Sequence, residues 1–419
     1  MRKPASLRAR VLDSVASDEV TAELYARGAD AEAVRMMVER GLGRGMLVGP
    51  MPMAEAQALR KAASEAGAMA VLARPAGRQD PERAEVVVMG PPEKLAATAK
   101  AIGGQVGQRM SIALSRFTEP RERVLRCRDR ELRLGEKTLI MGIINVTLDS
   151  FSGDGLGADV ERAVAQGKRM VEEGADILDV GGESTRPGAE PVSLEEELGR
   201  VLPVLSALAK GVDVPISVDT YKSAIARAAL ANGAAIINDI SGLHFDEQMA
   251  RVAADAGAGV VIMHILGTPR DMQQDPRYDD AIGEISDYLE EGIAKAEVAG
   301  LTRDHLVVDP GFGFGKTVQH NLELVRRLGE FRCLGCAVIV GTSRKSTIGK
   351  LLGDLPPEER LEGTAASVAL AIAAGADIVR VHDVKEMARV VRVADAIVRV
   401  RHDPPVGSEH RWAHQREDR

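Results

Sequence analysis

GADILDVGGESTRPGAE, residues 174–190, decides the fold. A glycine closes the helical stretch before it, in the position where a helix C-cap needs a left-handed residue. A short, nearly continuous apolar run, ILDVGG, follows, and it ends in polar, glycine-rich sequence. A run apolar on both faces is the mark of a strand in a parallel sheet covered on both sides. Working outward, the same unit recurs as LIMGIINV (139–146), PISVDT (215–220), IINDIS (236–241), VVIMH (260–264), LVVDPG (306–311), AVIVGTS (337–343) and IVRVHD (378–383). Helical stretches such as 157–176 and 360–377 separate these runs. Eight βα units in about 250 residues match a closed TIM (β/α)8 barrel. A doubly wound open sheet is the alternative, but it usually has fewer strands and would not place polar residues at every strand end.

The chain has 419 residues, enough for a large domain and a smaller one. Residues 1–120 differ from the barrel and read as a small α/β extension, with apolar runs GMLVG, AMAVLAR and AEVVVMG and a loop at RPAGRQDPER. Residues 121–401 form the barrel. They begin with ERVLRCRDRELRLGEK (122–137), which alternates about a turn as a β-hairpin and is placed to plug the N-terminal mouth. Residues 402–419 are polar and read as a disordered tail.

Aromatic residues make up only 3% of the chain, so the core is aliphatic. The net charge of −8 argues against an overall basic nucleic-acid surface while leaving room for a local basic pocket. Three cysteines, Cys127, Cys333 and Cys336, make no disulfide framework. The CxxC at 333–336 runs into an apolar strand and has no second pair for zinc, so these read as ordinary thiols. No stretch is long enough to span a membrane, and a cytoplasmic protein is expected.

Barrel active sites lie at the C-terminal ends of the strands. Those ends carry Asn145, the GGESTRPGAE loop, Asp219, Asn238 with Asp239, Met263 with His264, Asp309, GTSRKS, and Arg380 with His382. Asp219, Asn238 and Asp309 offer acceptors and an amide suited to a flat heterocycle with a guanidine-like edge. Asn145, Arg186, Arg380 and His382 are donors, expected to gather separately around a phosphate or diphosphate. Lys345 lies between the groups. Any one strand-end Asp could instead cap a helix, and Asp239, beside ISG, is the weaker functional candidate. DPGFGFGKT (309–317) is no P-loop, because Pro310 stands where the first glycine is required. Its glycines are expected to turn the chain beside a flat ring, with Phe312 and Phe314 packing at the pocket.

The motifs IMGIINVTLDSFSGDG, DVGGESTRPGAEPVS, ISVDTYK, NDISG, DPGFGFGK, VGTSRKS and RVHDV together resemble the dihydropteroate synthase family of pterin-binding TIM barrels, over about residues 122–400. The resemblance implies condensation of 6-hydroxymethyl-7,8-dihydropterin diphosphate with 4-aminobenzoate, assisted by Mg²⁺, in a homodimer built on the outer helices near strands seven and eight. It implies catalytic roles for Asp219, Asp309 and Lys345, with Asn238 and Met263 also holding the pterin. Asn145 would bind the metal and, with Arg186, Arg380 and His382, the diphosphate. Phe151, Thr185, Pro187, Phe314 and Ser346 would shape the 4-aminobenzoate pocket, where sulfonamides would compete. The chain departs from the family pattern at Leu148, where proline is usual, at Ile265–Leu266, and in its extension, which reads as a structural or oligomerisation module. Two rivals remain: a methyltetrahydrofolate-dependent corrinoid methyltransferase, which would not need Arg380 and His382, and a pterin-binding paralogue without synthase activity.

Overall fold

The computed structural model describes residues 8–12, 44–74, 82–118, 123–146, 155–186 and 188–399. Leu148, the 402–419 tail and most of the 74–83 loop fall outside them. Eight parallel strands close into a barrel: β7 (Leu139–Asn145), β8 (Ile177–Gly181), β9 (Ile216–Asp219), β10 (Ile236–Asp239), β11 (Gly259–Met263), β12 (Leu306–Asp309), β13 (Ala337–Val340) and β14 (Ile378–Val381). They follow one another in chain order, and β14 pairs with β7 to complete the ring. The TIM-barrel expectation holds, and the open sheet is excluded by that last pairing.

The repeated Gly-Ala-Asp and Gly-Ala-Ala entries work as the sequence implies. Gly174, Gly233 and Gly375 all have left-handed φ (109°, 102° and 105°), a conformation glycine takes without steric cost. The aspartates add a second device. Asp176 Oδ2 accepts the Ile140 amide at 2.9 Å, and Asp377 Oδ2 accepts the Val338 amide at 2.9 Å. Each therefore satisfies a donor at the start of the neighbouring strand, where the ladder has not yet begun.

Outside the strands lies a ring of helices, and the main core fills the space between, with Ile144, Val180, Val218, Val260 and Val308 all fully buried. Inside, the lower half is closed by a hairpin of β5 (Arg123–Cys127) and β6 (Arg130–Leu134). Leu125, Cys127 and Leu134 join Met141, Ile177, Val261, Val307 and Ile339 in one apolar cluster. Arg128 locks the hairpin in place: its amide donates to the Gly257 carbonyl and its guanidinium to the Leu230 and Ala234 carbonyls. The plugging hairpin expected from the alternation is present.

The extension is a four-stranded antiparallel sheet, ordered β1 (Arg8–Leu12), β2 (Arg44–Pro52), β4 (Arg83–Gly90), β3 (Met69–Ala73), packed with helices Met53–Glu65, Pro92–Ile102 and Gly104–Thr118. The three apolar runs are β2, β3 and β4, while RARVL (β1) gives a strand that no apolar run marks. This small core also takes in Cys333 of the barrel. The Val11 amide donates to Cys333 Sγ at 3.3 Å, and Arg8 reaches Asp280 and Asp287 at 3.8 and 3.6 Å. All three cysteines are free, as read from the sequence, and the structure buries them. Among the described residues no helix is long and apolar enough to cross a membrane.

Candidate active site

Strand register assembles the upper mouth. Asn145 pairs with Gly181, Gly181 with Asp219, and Asp219 with Asn238, so four strand ends lie in one row. Met263 pairs with Asp309 further round. Gly181 leaves room here, since a Cβ on it would stand 3.3 Å from the Asp219 Cβ, a tight contact beside the carboxylate.

Arg380 reaches across from β14. Its Nη2 donates to Asp219 Oδ2 at 2.7 Å and its Nε to Asp179 Oδ2 at 2.7 Å. The same Asp179 oxygen accepts from Asn238 Nδ2 at 2.9 Å. The expected separation of acidic and basic groups is therefore not what the structure has: the guanidinium sits among the carboxylates. The physical reason is burial. Carboxylates this far from water need a nearby cation to remain charged. Burial pushes the Asp219 carboxyl up to about 7, opposed chiefly by Arg380. Asp309 is also raised by burial, against the Gly311 amide, which it accepts at 2.7 Å, and against Lys345 and Arg380. Burial, reinforced by Arg380, brings Lys345 down to about 8.

An apolar wall faces this cluster. Met263, Ile240, Ile265, Met272 and Phe314 pack together with Tyr221. Lys345 Nζ lies 4.0 Å from the centre of the Phe314 ring, a cation–π distance. Phe312 is different: it packs into the core between strands and helices rather than at the mouth. Two of the glycines of DPGFGFGKT turn against protein, while Gly313 faces the Lys345 side chain. Gly311 and Gly315 have φ of 70° and 65°, and a Cβ on them would meet the His264 carbonyl at 1.9 Å and Leu266 Cβ at 2.6 Å. Ile265–Leu266, the second departure from the family pattern, is thus the surface against which this loop folds.

The remaining candidates divide. Asn145 is half-buried at the end of β7. His382 shares a 3.0 Å hydrogen bond with Ser343 Oγ through Nδ1, and burial lowers it to about 3. It is a neutral imidazole at pH 7, offering a polar contact rather than a charge. Thr185 is half-buried on the loop after β8, and Arg186 is exposed there. Ser346 is exposed at the first turn of the Ser346–Leu351 helix. Phe151 and Pro187 lie outside the described residues. Asp239 is a turn residue: its two oxygens accept from the Ser241 amide and hydroxyl and from the Leu243 amide.

Several residues that reading strand ends does not find belong to the site. Asp179 is fully buried, and its Oδ1, like the Ser217 hydroxyl beside it in register, has no protein partner. The signal was available, since an aspartate inside the apolar run ILDVGG has to be explained by a partner. Below the 182–190 loop, Lys222 bridges Glu183 and Glu197 at 2.6 Å each, and Tyr221 donates to Glu183 at 2.6 Å. Thr317 caps the Val318–Arg326 helix. Lys316 is buried and bonds His264. Among the described residues no group of three or more His, Cys, Asp or Glu is placed to hold a metal.

A closed parallel barrel whose strand ends bring together carboxylates, an amide and a guanidinium set among them, with a lysine nearby and an apolar wall, defines a barrel enzyme for a flat, nitrogen-rich ring carrying an anionic group. Comparison with known proteins gives the family. Residues 141–382 match the model of the pterin binding enzyme family, and the chain belongs to it. It is 48% identical over 265 residues to the dihydropteroate synthase of Synechocystis, covering 63% of this chain and 92% of that protein. Against the Escherichia coli K12 dihydropteroate synthase it is 48% identical over 257 residues, 61% of this chain and 90% of the relative. A Yersinia pestis dihydropteroate synthase in complex with a sulfonamide drug superposes with a TM-score of 0.63 and 42% identity, over 66% of this chain and all of that one (100%). The Xanthomonas albilineans enzyme with 4-aminobenzoic acid gives 0.62 and 44%, over 67% and 99%.

Proposed function

We propose that the chain is a dihydropteroate synthase, a transferase that joins 6-hydroxymethyl-7,8-dihydropterin diphosphate to 4-aminobenzoate, giving 7,8-dihydropteroate and diphosphate for folate synthesis. The observation that carries this reading is the Asp219–Arg380–Asp179–Asn238 cluster, with Lys345 acting on Asp219 and lying against Phe314, in a chain that covers nine-tenths of relatives bearing that name.

Asp219, Asn238, Asp309 and Lys345 hold the pterin, and Met263 packs on its ring. The C–O bond breaks first, and its electron pair leaves with the diphosphate oxygen. Positive charge spreads from the methylene into the pterin, where ionised Asp219 and Asp309 stabilise it through a poorly hydrated site. The neutral amine of 4-aminobenzoate then attacks the methylene and loses a proton, so no strong general base is needed. Arg380, His382 and Arg186 receive the diphosphate. Arg380 has to share its hydrogen bonds between Asp219 and the incoming substrate, which links pterin capture to diphosphate binding. Phe314, Thr185 and Ser346, with Phe151 and Pro187, bound the arylamine pocket.

Asn145 would offer one neutral oxygen to a Mg²⁺ bound chiefly by the diphosphate, since such ions are commonly held by phosphates and water with few protein ligands. The ion's chemistry is neutralisation of the leaving group. A homodimer would form on the neighbouring helices Leu361–Ala373 and Val384–Val398, a reading supported by the exposed Leu370, Val393 and Ile397. Three free thiols suit a cytoplasmic location. The test is diphosphate release from the dihydropterin diphosphate: it should require both 4-aminobenzoate and Mg²⁺ and be competed by a sulfonamide. Diphosphate release that yields no 7,8-dihydropteroate when 4-aminobenzoate is present would refute the reading.

A further inference from the structure

The lysine of DPGFGFGK is buried against protein partners, and the mechanism above leaves it unused. Lys316 is only 3% exposed. Its Nζ lies 2.8 Å from His264 Nδ1 and donates to the Phe314 carbonyl at 2.9 Å. Burial and the Lys345 charge lower its pKa well below that of an ordinary lysine, with Asp309 opposing. His264 is held neutral by burial, which suits its Nδ1 to accept.

The neighbours explain why a long donor is needed at this point. Three consecutive carbonyls of the glycine loop are each held by a side chain: Gly313 by Gln273 Nε2 at 2.8 Å, Phe314 by Lys316, and Gly315 by the Tyr278 hydroxyl at 2.8 Å. Gln273 and Tyr278 come from the segment after β11, and Lys316 ties the loop to His264 at the start of that segment. On the other side, the Gly313 amide donates to Asn321 Oδ1 at 2.8 Å. Glycines cannot hold this path by themselves, because their backbone is the most permissive of all. Of the three carbonyl donors, Lys316 acts on the residue whose ring forms the wall under Lys345.

We propose that Lys316 is a positioning residue that sets the Phe314 ring, and through it the fit of the arylamine acceptor, while leaving pterin capture to the strand-end cluster. This rests on the synthase reading. The experiment uses the full chain and measures kcat and both KM values for wild type, Lys316→Met, Lys316→Gln, Phe314→Leu and the Lys316→Met/Phe314→Leu double variant, with thermal melts alongside. Lys316→Met should raise KM for 4-aminobenzoate about tenfold, as expected when a buried carbonyl loses its donor, with KM for the dihydropterin diphosphate within about twofold. Lys316→Gln, which retains an N–H donor, should recover part of the loss. The double variant should be no worse than the more severe single one, because both act on one wall. Equal rises in the two KM values, multiplying effects in the double variant, or an unchanged 4-aminobenzoate KM would overturn the proposal alone. If Lys316→Met does not fold, the glutamine and Phe314 variants carry the same comparison. An inactive wild type would remove the synthase reading and this proposal together.

Discussion

The two mouths of the barrel are built from the same eight strands and obey different rules. At the lower mouth, Leu125, Cys127 and Leu134 of the hairpin enter a wholly apolar cluster. At the upper mouth, four strands converge on carboxylates, an amide and a guanidinium, with Asp179 Oδ1 and Ser217 Oγ left without protein partners. Stability is concentrated at one end, and the cost of keeping charges away from water is accepted at the other. A barrel whose strands run through both regions can carry such a site because the plug and the outer core hold the strands independently of it.

Substitutions at the two ends should therefore separate activity from stability. The largest effect is expected from Asp219→Asn, which should lower kcat/KM by about 100- to 1,000-fold, the scale of losing one well-placed electrostatic contact to a transition state, without lowering the melting temperature at neutral pH. Near-normal turnover in that variant would show that the cation is stabilised elsewhere. At the other end, Leu125→Ala should cost about 3 kcal/mol in denaturant unfolding through the cavity it leaves, with kcat per folded molecule unchanged. A large drop in kcat there would mean that the plug communicates with the site.

Gly311→Ala sharpens the comparison from within the upper mouth. The left-handed φ of 70° and the His264 carbonyl 1.9 Å from the new Cβ should destabilise the fold by about 2 kcal/mol or more, so this active-site glycine behaves in part like a lower-mouth residue. Melting curves decide it.

The smallest effects are those of pH. With Asp219 raised to about 7 and Lys345 lowered to about 8, kcat/KM should rise through about 7 and fall again above about 8 if the carboxylate and the ammonium are the working forms. Arg380→Met should move the acid limb upward, because Arg380 favours the ionised Asp219. The stability sign is the reverse of the usual carboxylate case. The folded state holds the Asp219 proton more tightly than the unfolded chain, from 3.8 to about 7, so that contribution is complete below about 4 and is lost as pH rises through about 7. Asp219→Asn should abolish this slope in a pH series of unfolding midpoints.

Much of this was legible in the sequence for physical reasons. Eight apolar runs, several of them preceded by a helix-ending glycine such as Gly174, Gly233 or Gly375, leave few alternatives to a barrel, and the alternation of ERVLRCRDRELRLGEK fixes a hairpin. Strand ends located Asp219, Asn238, Met263 and Asp309, because the fold itself puts chemistry there. What could not be read depends on distance in the chain. Arg380 and Asp219 are 161 residues apart, and nothing local says that the guanidinium crosses to the carboxylates. Val11 and Cys333, 322 apart, join the extension to the barrel. The glycines of DPGFGFGKT announced tight turns but not what they turn against, which is His264 and Leu266.

The most direct test of the central claim is to incubate the purified chain with 6-hydroxymethyl-7,8-dihydropterin diphosphate, 4-aminobenzoate and Mg²⁺ and follow the products by mass spectrometry. Formation of 7,8-dihydropteroate with one diphosphate per product is the predicted result. A tightly bound pterin diphosphate that persists intact in the presence of 4-aminobenzoate would contradict it.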